Sequence, residues 1–327
     1  MTTAALAPPV KGSAKPNQLV LIAIWALLVT VPFWLPLLGG YTALAAKVLV
    51  FGLAAMALNL LLGFTGVLSF GHAAYFGLGA YGAGLTLRYL VHSTPLAIVA
   101  GTLLGGIAGT LFGLLIVRRR GVYFAMCTIA FGQLWYYLAY SWNGFTGGFD
   151  GLRDFHREPI GFGPLTFDIA AGDTRFYYFL LAIFAASVAL MGLLLRSPFG
   201  RTLVAIRENE RRARFLGIPT ERHIWLSFSV SCFFTALAGT MYALLNNFAD
   251  PLTLHYSLSG YFVVMTVIGG MRTFWGPLAG AVVFVMLQDY ISSMTVNWMS
   301  FIGVIFMLVV LFFPRGLLGT IRRRMAS

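Results

Sequence analysis

The most informative segment for the fold is SPFGRTLVAIRENERRARFLGIP, residues 197–219, which carries five arginines and lies between two long apolar runs. Apolar side chains recur in it at near-helical spacing, with Glu210 as one polar interruption of that face. These side chains are Phe199, Leu203, Ile206, Ala213 and Leu216. Ser197 before Pro198 predicts the start of a short helix, and Gly217 predicts its end. Since a membrane bundle has no packing need for such a helix, we interpret the segment as a contact for a partner protein.

The composition predicts an all-α, polytopic integral membrane protein with about ten transmembrane helices. Of the 327 residues, 59% are hydrophobic and 10% are charged, and the mean hydropathy is +0.84. A soluble protein of this composition would expose apolar patches larger than monomers tolerate. Runs near the roughly 20 residues that span a bilayer lie at about 19–38, 43–62, 72–92, 95–117, 122–141, 176–195, 224–246, 252–271, 276–292 and 298–313. The transmembrane domain is therefore expected at residues 18–314.

The placement of the basic residues predicts the orientation of the chain. They cluster in short segments between apolar runs, which is the positive-inside pattern, and this accounts for the net charge of +12 without a nucleic-acid partner. The clusters are Lys11 with Lys15, Arg118 to Arg120, the arginines of 197–219, and Arg322 to Arg324. Ten spans place both termini in the cytoplasm. We expect cytoplasmic tails at 1–17 and 315–327, a cytoplasmic segment at 196–222 and an external, acid-rich loop at 142–175.

The first apolar run has two interpretations. Lys11 and Lys15 precede it, and Ala43 to Ala45 resemble a signal-peptidase site. The run is longer than the about 7–15 apolar residues of a signal peptide, so we expect a retained first span. Cleavage would remove one helix and leave the orientation of the others unchanged.

Two glycine-rich stretches, residues 63–84 and 269–280, interrupt the apolar pattern in the two halves of the chain. Non-helical backbone at membrane depth is tolerated only where it is buried in protein or lines a wet cavity. Paired interruptions of this kind indicate a transport site. We therefore expect the substrate path to include Gly66, Ser69, Phe70, Gly71, His72, Tyr75, Gly79, Tyr81, Gly269, Gly270, Gly276 and Pro277.

His72 and a stripe of glycines each have a structural and a functional interpretation. His72 could line the path or bind a polar substrate, because intramembrane ionisable residues are often functional. It could instead bond a neighbouring group where the chain is irregular, and we favour this structural role. Glycines that recur every four residues on the fourth span predict close helix packing. They are Gly101, Gly105, Gly109 and Gly113.

The chain lacks the sequence motifs of an enzyme or of a self-powered carrier. It has no G-x-x-x-x-G-K-S/T motif, and its only lysines are Lys11, Lys15 and Lys47, so it cannot bind ATP through a P-loop. It has no H-E-x-x-H motif and no Cys/His cluster with metal-ligand spacing. Acidic residues, which ion-coupled carriers use, are absent from the first five spans. We predict a transport subunit without catalytic residues, metal or cofactor, driven by energy from another protein.

Four motifs occur in order along the chain: LNLLLGFTGVLSFGHAAYFGLGAY at 58–81, TGGFDGL at 146–152, SPFGRTLVAIRENERRARFLGI at 197–218, and GGMRTFWGPLAGA at 269–281. On these motifs the chain resembles, over nearly its whole length, the permease subunits of bacterial branched-chain amino acid ABC importers. The likeness is closer to the LivM-type subunit than to its LivH-type companion. The resemblance implies an ABC importer permease fold in the bacterial inner (cytoplasmic) membrane.

The resemblance also implies partners and interface residues. The implied partners are a LivH-type second permease, two cytoplasmic subunits that bind the ATP, a periplasmic substrate-binding protein and the surrounding membrane lipid. Segment 197–218 is similar to the coupling helix that contacts an ATPase, with motif positions at Gly200, Ala205, Glu208, Asn209, Ala213 and Gly217. The TGGFDGL turn is expected to face the binding protein through Thr146, Gly147, Gly148, Asp150 and Gly151.

The expected function is import of branched-chain amino acids along a path formed with the second permease. Similar permeases serve urea, short amides and other small organic solutes, so those substrates stay open. A stand-alone secondary transporter is favoured by the broken apolar segments and disfavoured by the lack of central acids. An intramembrane enzyme has only His72 and scattered serines in its favour, without the spacing of a nucleophile and its base.

Overall fold

The computed structural model describes residues 18–162, 165–167, 172–312 and 316. Within them the long helices are α1 (Gln18–Trp34), α2 (Thr42–Asn59), α3 (His72–Leu85), α4 (Thr94–Ile116), α5 (Val122–Ser141), α7 (Asp173–Arg196), α10 (Thr220–Asn246), α11 (Tyr256–Gly269), α12 (Gly276–Met294) and α13 (Trp298–Phe312). The short helices are α6 (Asn143–Thr146), α8 (Pro198–Glu208) and α9 (Glu210–Phe215). Strands β1 (Ile160–Phe162) and β2 (Leu165–Phe167) form one antiparallel hairpin. Apart from Gly316, the predicted tails lie outside the described residues.

Each of the ten predicted apolar runs coincides with a helix, which confirms the all-α class. Six helices in the described part are long and apolar enough to cross a membrane: Thr42–Thr65, Thr94–Ile116, Val122–Ser141, Asp173–Arg196, Thr220–Asn246 and Gly276–Met294. The others are short or change their helical type. For example, α11 has 14 residues, and α3 continues as a π-helix over Thr86–Leu90. The protein is multi-pass, and the count of ten spans stays a prediction.

Helix α2 lies in the interior of the bundle rather than against lipid. In an 18-residue apolar window of the span Thr42–Thr65, which contains α2, 89% of the residues are buried, compared with 33% in the corresponding window of α4. Apart from Thr42, Lys47 and Asn59, every residue of α2 is apolar or glycine, and a helix that is apolar nearly all round can be enclosed by others. It packs against α7, α10, α11 and α12. These four helices therefore enclose most of α2.

Glycines bring α3, α4 and α10 into backbone contact. A Cβ added at Gly79 would lie 2.1 Å from the Ala236 carbonyl oxygen, and one at Gly239 would lie 1.8 Å from that of Phe76. A Cβ at Gly101 would lie 2.4 Å from the Gly79 oxygen. Only glycine fits at such crossings, so the close packing predicted for the stripe on α4 is confirmed.

The loops gather at two ends of the bundle. One, called here the arginine-rich end, carries segment 197–219. Two other parts of the chain are hydrogen-bonded to this segment there: Arg120 to Glu210, and the Gly63 carbonyl to Arg207. The opposite, acidic-loop end carries residues 142–162 and 165–167; there Leu152 pairs with Ala249. Among the described residues, Arg120 and segment 197–219 lie at one end and Leu152 lies at the other. The predicted bounds of the cytoplasmic segment and of the external loop stay predictions. Which end faces the cytoplasm stays a prediction.

Candidate functional site

The arginine-rich segment folds as two helices, α8 and α9, rather than as the single helix expected from its sequence. The chain is extended at Asn209 (φ −161°, ψ 98°). The Asn209 side chain accepts a hydrogen bond from the Arg212 N–H at 2.9 Å and so caps the start of α9. Pro198 occupies the first turn of α8 and Gly217 leaves the segment with φ +81°, as predicted. The Ser197 hydroxyl does not cap α8; it donates to the Leu194 carbonyl.

The break at Asn209 changes which apolar side chains face the bundle. Leu203, Ile206 and Ala213 are buried as predicted. The expectation that Leu216 shares their face is wrong, because the break shifts the helical phase and leaves Leu216 75% exposed beside Phe215, which is 91% exposed. Phe215 and Leu216, called here the exposed tip, therefore present two large apolar side chains among arginines.

Glu210 fixes the position of α9. It accepts hydrogen bonds from Arg120 at 3.0 and 2.9 Å and from Arg214 at 2.8 Å. Burial alone would raise the pKa of Glu210, but hydrogen bonds and charge from the two guanidinium groups lower it below its usual value. The turn between α4 and α5 is thereby tied to α9. The sequence showed Glu210 only as an interruption of the apolar face, although its spacing of four residues from Arg214 was a usable signal.

Arg207 connects α8 to the first glycine-rich stretch. Its Nη1 donates to the Gly63 carbonyl oxygen at 2.5 Å. A Cβ at Gly66, which has φ +80°, would lie 2.7 Å from Arg207 Cγ. Burial lowers the pKa of Arg207, and the charge of Arg272 lowers it further. Sequence reasoning missed this residue, since a bond across 144 positions leaves no local pattern.

The two glycine-rich stretches contact each other at the same place. Asn59 Nδ2 donates to the Thr273 carbonyl oxygen at 3.0 Å, and a Cβ at Gly63 would lie 1.8 Å from the Met271 oxygen. We call Asn59, Gly63, Gly66, Arg207 and Thr273 the junction. It joins the arginine-rich segment to both stretches through hydrogen bonds and close backbone contacts.

His72 is fully buried and its hydrogen bonds are to protein groups. Its Nδ1 lies 2.9 Å from Ser69 Oγ and its Nε2 lies 2.7 Å from Ser231 Oγ. Because the Ser231 hydroxyl donates to the Ala57 carbonyl, it accepts from Nε2–H, and Nδ1 then accepts from Ser69. The ring thus holds the irregular chain before α3 against α2 and α10. Of the two interpretations, this arrangement favours the structural one.

The other predicted path residues are largely enclosed by protein. The buried members are Ser69, Gly71, Tyr75, Gly79, Tyr81, Gly269, Gly270, Gly276 and Pro277. Phe70 is half-buried and Gly66 is exposed at the arginine-rich end. Tyr75 packs edge-on against Phe228 of α10, with ring centroids 5.7 Å apart. Their assignment to a substrate path stays a prediction.

The TGGFDGL turn lies at the acidic-loop end. Gly147, Gly148 and Gly151 all have positive φ angles, between 56° and 80°, which favour glycine. Thr146 is buried and its hydroxyl donates to the Ala139 carbonyl at 2.6 Å. Asp150 and the neighbouring Phe149 are exposed. The turn therefore presents these two side chains on a rigid frame, and its contact with a binding protein stays a prediction.

The predicted coupling positions divide between buried and exposed sites. Gly200 and Ala213 are buried, whereas Ala205, Glu208, Asn209 and Gly217 are exposed. A Cβ at Gly200 would lie 2.3 Å from the Leu195 oxygen, so glycine permits the tight turn from α7 into α8. Across the described ranges, no group of three or more His, Cys, Asp or Glu side chains could hold a metal ion.

Comparison with known proteins identifies the family. The family model described as the permease component of branched-chain amino acid transport systems matches residues 40–311. The chain belongs to this family. This permease is 26% identical to the high-affinity branched-chain amino acid transport system permease protein LivM of Escherichia coli K12, over 96% of this chain and 78% of that protein. The LivM-type resemblance is therefore confirmed.

The names of more distant relatives of the permease give different substrates. It is 23% identical to a probable branched-chain amino acid transport permease protein LivM of Methanocaldococcus jannaschii, over 80% of this chain and 88% of that protein. It is 27% identical to the L-arabinose ABC transporter permease protein AraH of Azospirillum brasilense, over 64% of this chain and 60% of that protein. No solved structure matches the permease significantly.

Proposed function

We propose that this chain is a membrane permease of an ATP-driven importer for branched-chain amino acids. It forms the translocation path with a second, LivH-type permease in the bacterial inner membrane, with both termini in the cytoplasm. Two cytoplasmic subunits bind and hydrolyse the ATP, and a periplasmic protein delivers the substrate. The chain itself has no catalytic residue and binds no cofactor.

The observation that carries this proposal is the architecture of the arginine-rich end. The exposed tip places an aromatic and an aliphatic side chain in solvent, where they add nothing to the fold of this chain but suit a pocket on a partner. Behind the tip, Glu210 and Arg207 attach the segment to the α4–α5 turn and to the junction. The 327 residues contain no P-loop, so an ATP-driven importer would need the nucleotide-binding site of a partner.

In the proposed mechanism, closure of the ATPase subunits displaces the exposed tip, and α8 moves with it. Arg207 then moves the Gly63 carbonyl, and Asn59 carries the displacement to Thr273. Within the glycine-rich stretches, residues 66–71 and 270–275 are not helical, so in this proposal they are the segments that change shape. The outcome is a switch between inward-open and outward-open arrangements of the bundle.

The reconstituted transporter tests the function. With both permeases, both ATPases and the binding protein in liposomes, we expect ATP-dependent accumulation of L-leucine. Liposomes that contain this chain alone should accumulate none, because it has no means of using ATP. Rapid flux through the chain alone would support the secondary-transporter alternative. Accumulation of L-arabinose, urea or a short amide in place of leucine would support a different substrate within the same family.

Replacement of Arg207 tests the coupling route. The change Arg207→Met keeps most of the side-chain length and removes the donor to Gly63, a charge-assisted bond of about 1.5–3 kcal/mol. We expect leucine uptake per ATP hydrolysed to fall about tenfold or more while the complex still assembles. The control is Arg201→Met on the same helix, where the arginine is exposed. An unchanged transport-to-hydrolysis ratio in Arg207→Met would show that the junction does not transmit the motion.

A further inference from the structure

A cavity of about 260 Å³ opens at the acidic-loop end, opposite the junction. It lies between the end of α5, the TGGFDGL turn and the turn that follows α10. Of its lining residues only Asp150 has a predicted role, in contact with the binding protein. Sites for drug-sized ligands measure about 300–1,000 Å³. The cavity is therefore of a size for a small solute with few non-hydrogen atoms.

Backbone pairing fixes the two walls of this cavity relative to each other. Leu152 and Ala249 exchange hydrogen bonds of 2.9 and 3.1 Å, which join the TGGFDGL turn to the turn after α10. Arg88 Nη1 donates to the Arg153 carbonyl oxygen at 3.1 Å and adds a third attachment. The charged side chains on these two walls are therefore held in place relative to each other before any ligand binds.

Three charged side chains line the cavity, and none of them forms an ion pair with another described residue. They are Asp150 and Asp250, which are carboxylates, and Arg153. Within the described residues the ion pairs are Arg120–Glu210, Arg157–Asp173 and Arg214–Glu210. One oxygen of Asp250 accepts from the Leu252 N–H at 2.9 Å, which leaves its other oxygen available. Arg153 lies over the Phe248 ring at 5.4 Å, and its guanidinium group donates no hydrogen bond to the part of the chain that the structure describes.

Aromatic rings form the remaining wall. Tyr136 and Tyr140 of α5 have ring centroids 5.7 Å apart, and Tyr140 meets Phe149 edge-on at 5.8 Å. Leu252, 62% exposed, completes the apolar lining. Aromatic faces of this kind provide contact area for an aliphatic side chain.

We propose that this cavity is an entry site for the zwitterionic form of an aliphatic amino acid. Asp150 and Asp250 receive the α-ammonium group, Arg153 binds the α-carboxylate, and the aromatic wall contacts the side chain. Opposite charges that line one cavity without pairing with each other match a ligand that carries both signs, and a guanidinium group suits a carboxylate in particular. Urea, a short amide or a sugar has no full charge to use these groups. This inference rests on the proposed function and gives a reason within the chain to prefer amino acids.

Thiol labelling of the complete transporter tests the site. The variant Leu252→Cys, in a Cys127→Ser background, places a thiol in the cavity wall; Cys232 is fully buried and unreactive. Free L-leucine, without binding protein, should slow labelling of this thiol by a hydrophilic reagent. Val296→Cys, at a position that is 94% exposed at the same end but outside the cavity, is the control and should label at an unchanged rate.

The charge variants decide between the possible occupants. In Arg153→Gln and in Asp150→Asn, the leucine concentration for half-protection should rise about tenfold or more, since each loses a charge-assisted contact. The leucine analogues 3-methylbutylamine and 4-methylpentanoate, which lack one charge each, should protect poorly. Equal protection by the amine would make this a cation site and overturn the proposal. So would unchanged protection in both variants combined with weaker stimulation by the binding protein, which would indicate a docking surface.

Failure of this inference is distinguishable from failure of the proposed function. If the native complex accumulates leucine but leucine gives no protection at Leu252→Cys, only the entry site is overturned. If the native complex accumulates no branched-chain amino acid under ATP, the proposed function fails whatever the labelling shows.

Discussion

Gly239→Ala is expected to destabilise the helical bundle strongly, although it adds only one methyl group. The new Cβ would lie 1.8 Å from the carbonyl oxygen of Phe76, so α10 and α3 must separate by more than 1 Å at their crossing. Gly79 and Gly101 hold α3 equally close to α10 and α4, which leaves α3 no room to retreat. Overpacking of this kind costs about 3 kcal/mol. Thermal unfolding in mild detergent, followed by size-exclusion chromatography, measures the loss.

The matched control for this prediction is Gly260→Ala on α11. No atom lies within 4 Å of a Cβ at Gly260, and alanine favours a helix by about 1 kcal/mol relative to glycine. The same chemical change should therefore leave the midpoint of unfolding unchanged or raise it. Equal midpoints for the two variants would show that α3 and α10 do not cross at Gly239 as described.

Phe215→Ala is expected to release the ATPase subunits from an otherwise intact permease. The side chain is 91% exposed, so its removal takes no buried apolar area from this chain. At an interface, an aromatic anchor of this kind contributes about 2 kcal/mol or more, which corresponds to a loss of about 30-fold or more in affinity. Co-purification of the ATPases with the tagged permease, together with thermal unfolding of the permease alone, measures both effects.

A second exposed apolar position serves as the control for Phe215. Val296 is 94% exposed at the acidic-loop end, so Val296→Ala removes apolar surface where no ATPase is expected. It should leave co-purification unchanged. Full retention of the ATPases by Phe215→Ala would contradict the assignment of the exposed tip as their contact.

The sequence predicted more of the fold than of the site. The apolar runs locate the long helices because bilayer thickness fixes the length of a span, and basic clusters group the loops because charge placement follows topology. The boundaries of segment 197–219 also follow from sequence, since proline and glycine act locally. The break at Asn209 was missed although asparagine is a favoured N-cap residue, and the consequence was a wrong face for Leu216.

From sequence alone it could be predicted that the chain is a multi-pass helical permease without a P-loop, because length, hydropathy and local motifs carry that information. Three features are visible only in the folded protein: α2 is enclosed by other helices, Arg207 donates a hydrogen bond to the Gly63 carbonyl, and His72 is hydrogen-bonded to two serines. The folded protein also shows that Asp150, Arg153 and Asp250 share one cavity. The physical reason is that these contacts join residues far apart in the chain, and their formation depends on how the helices cross.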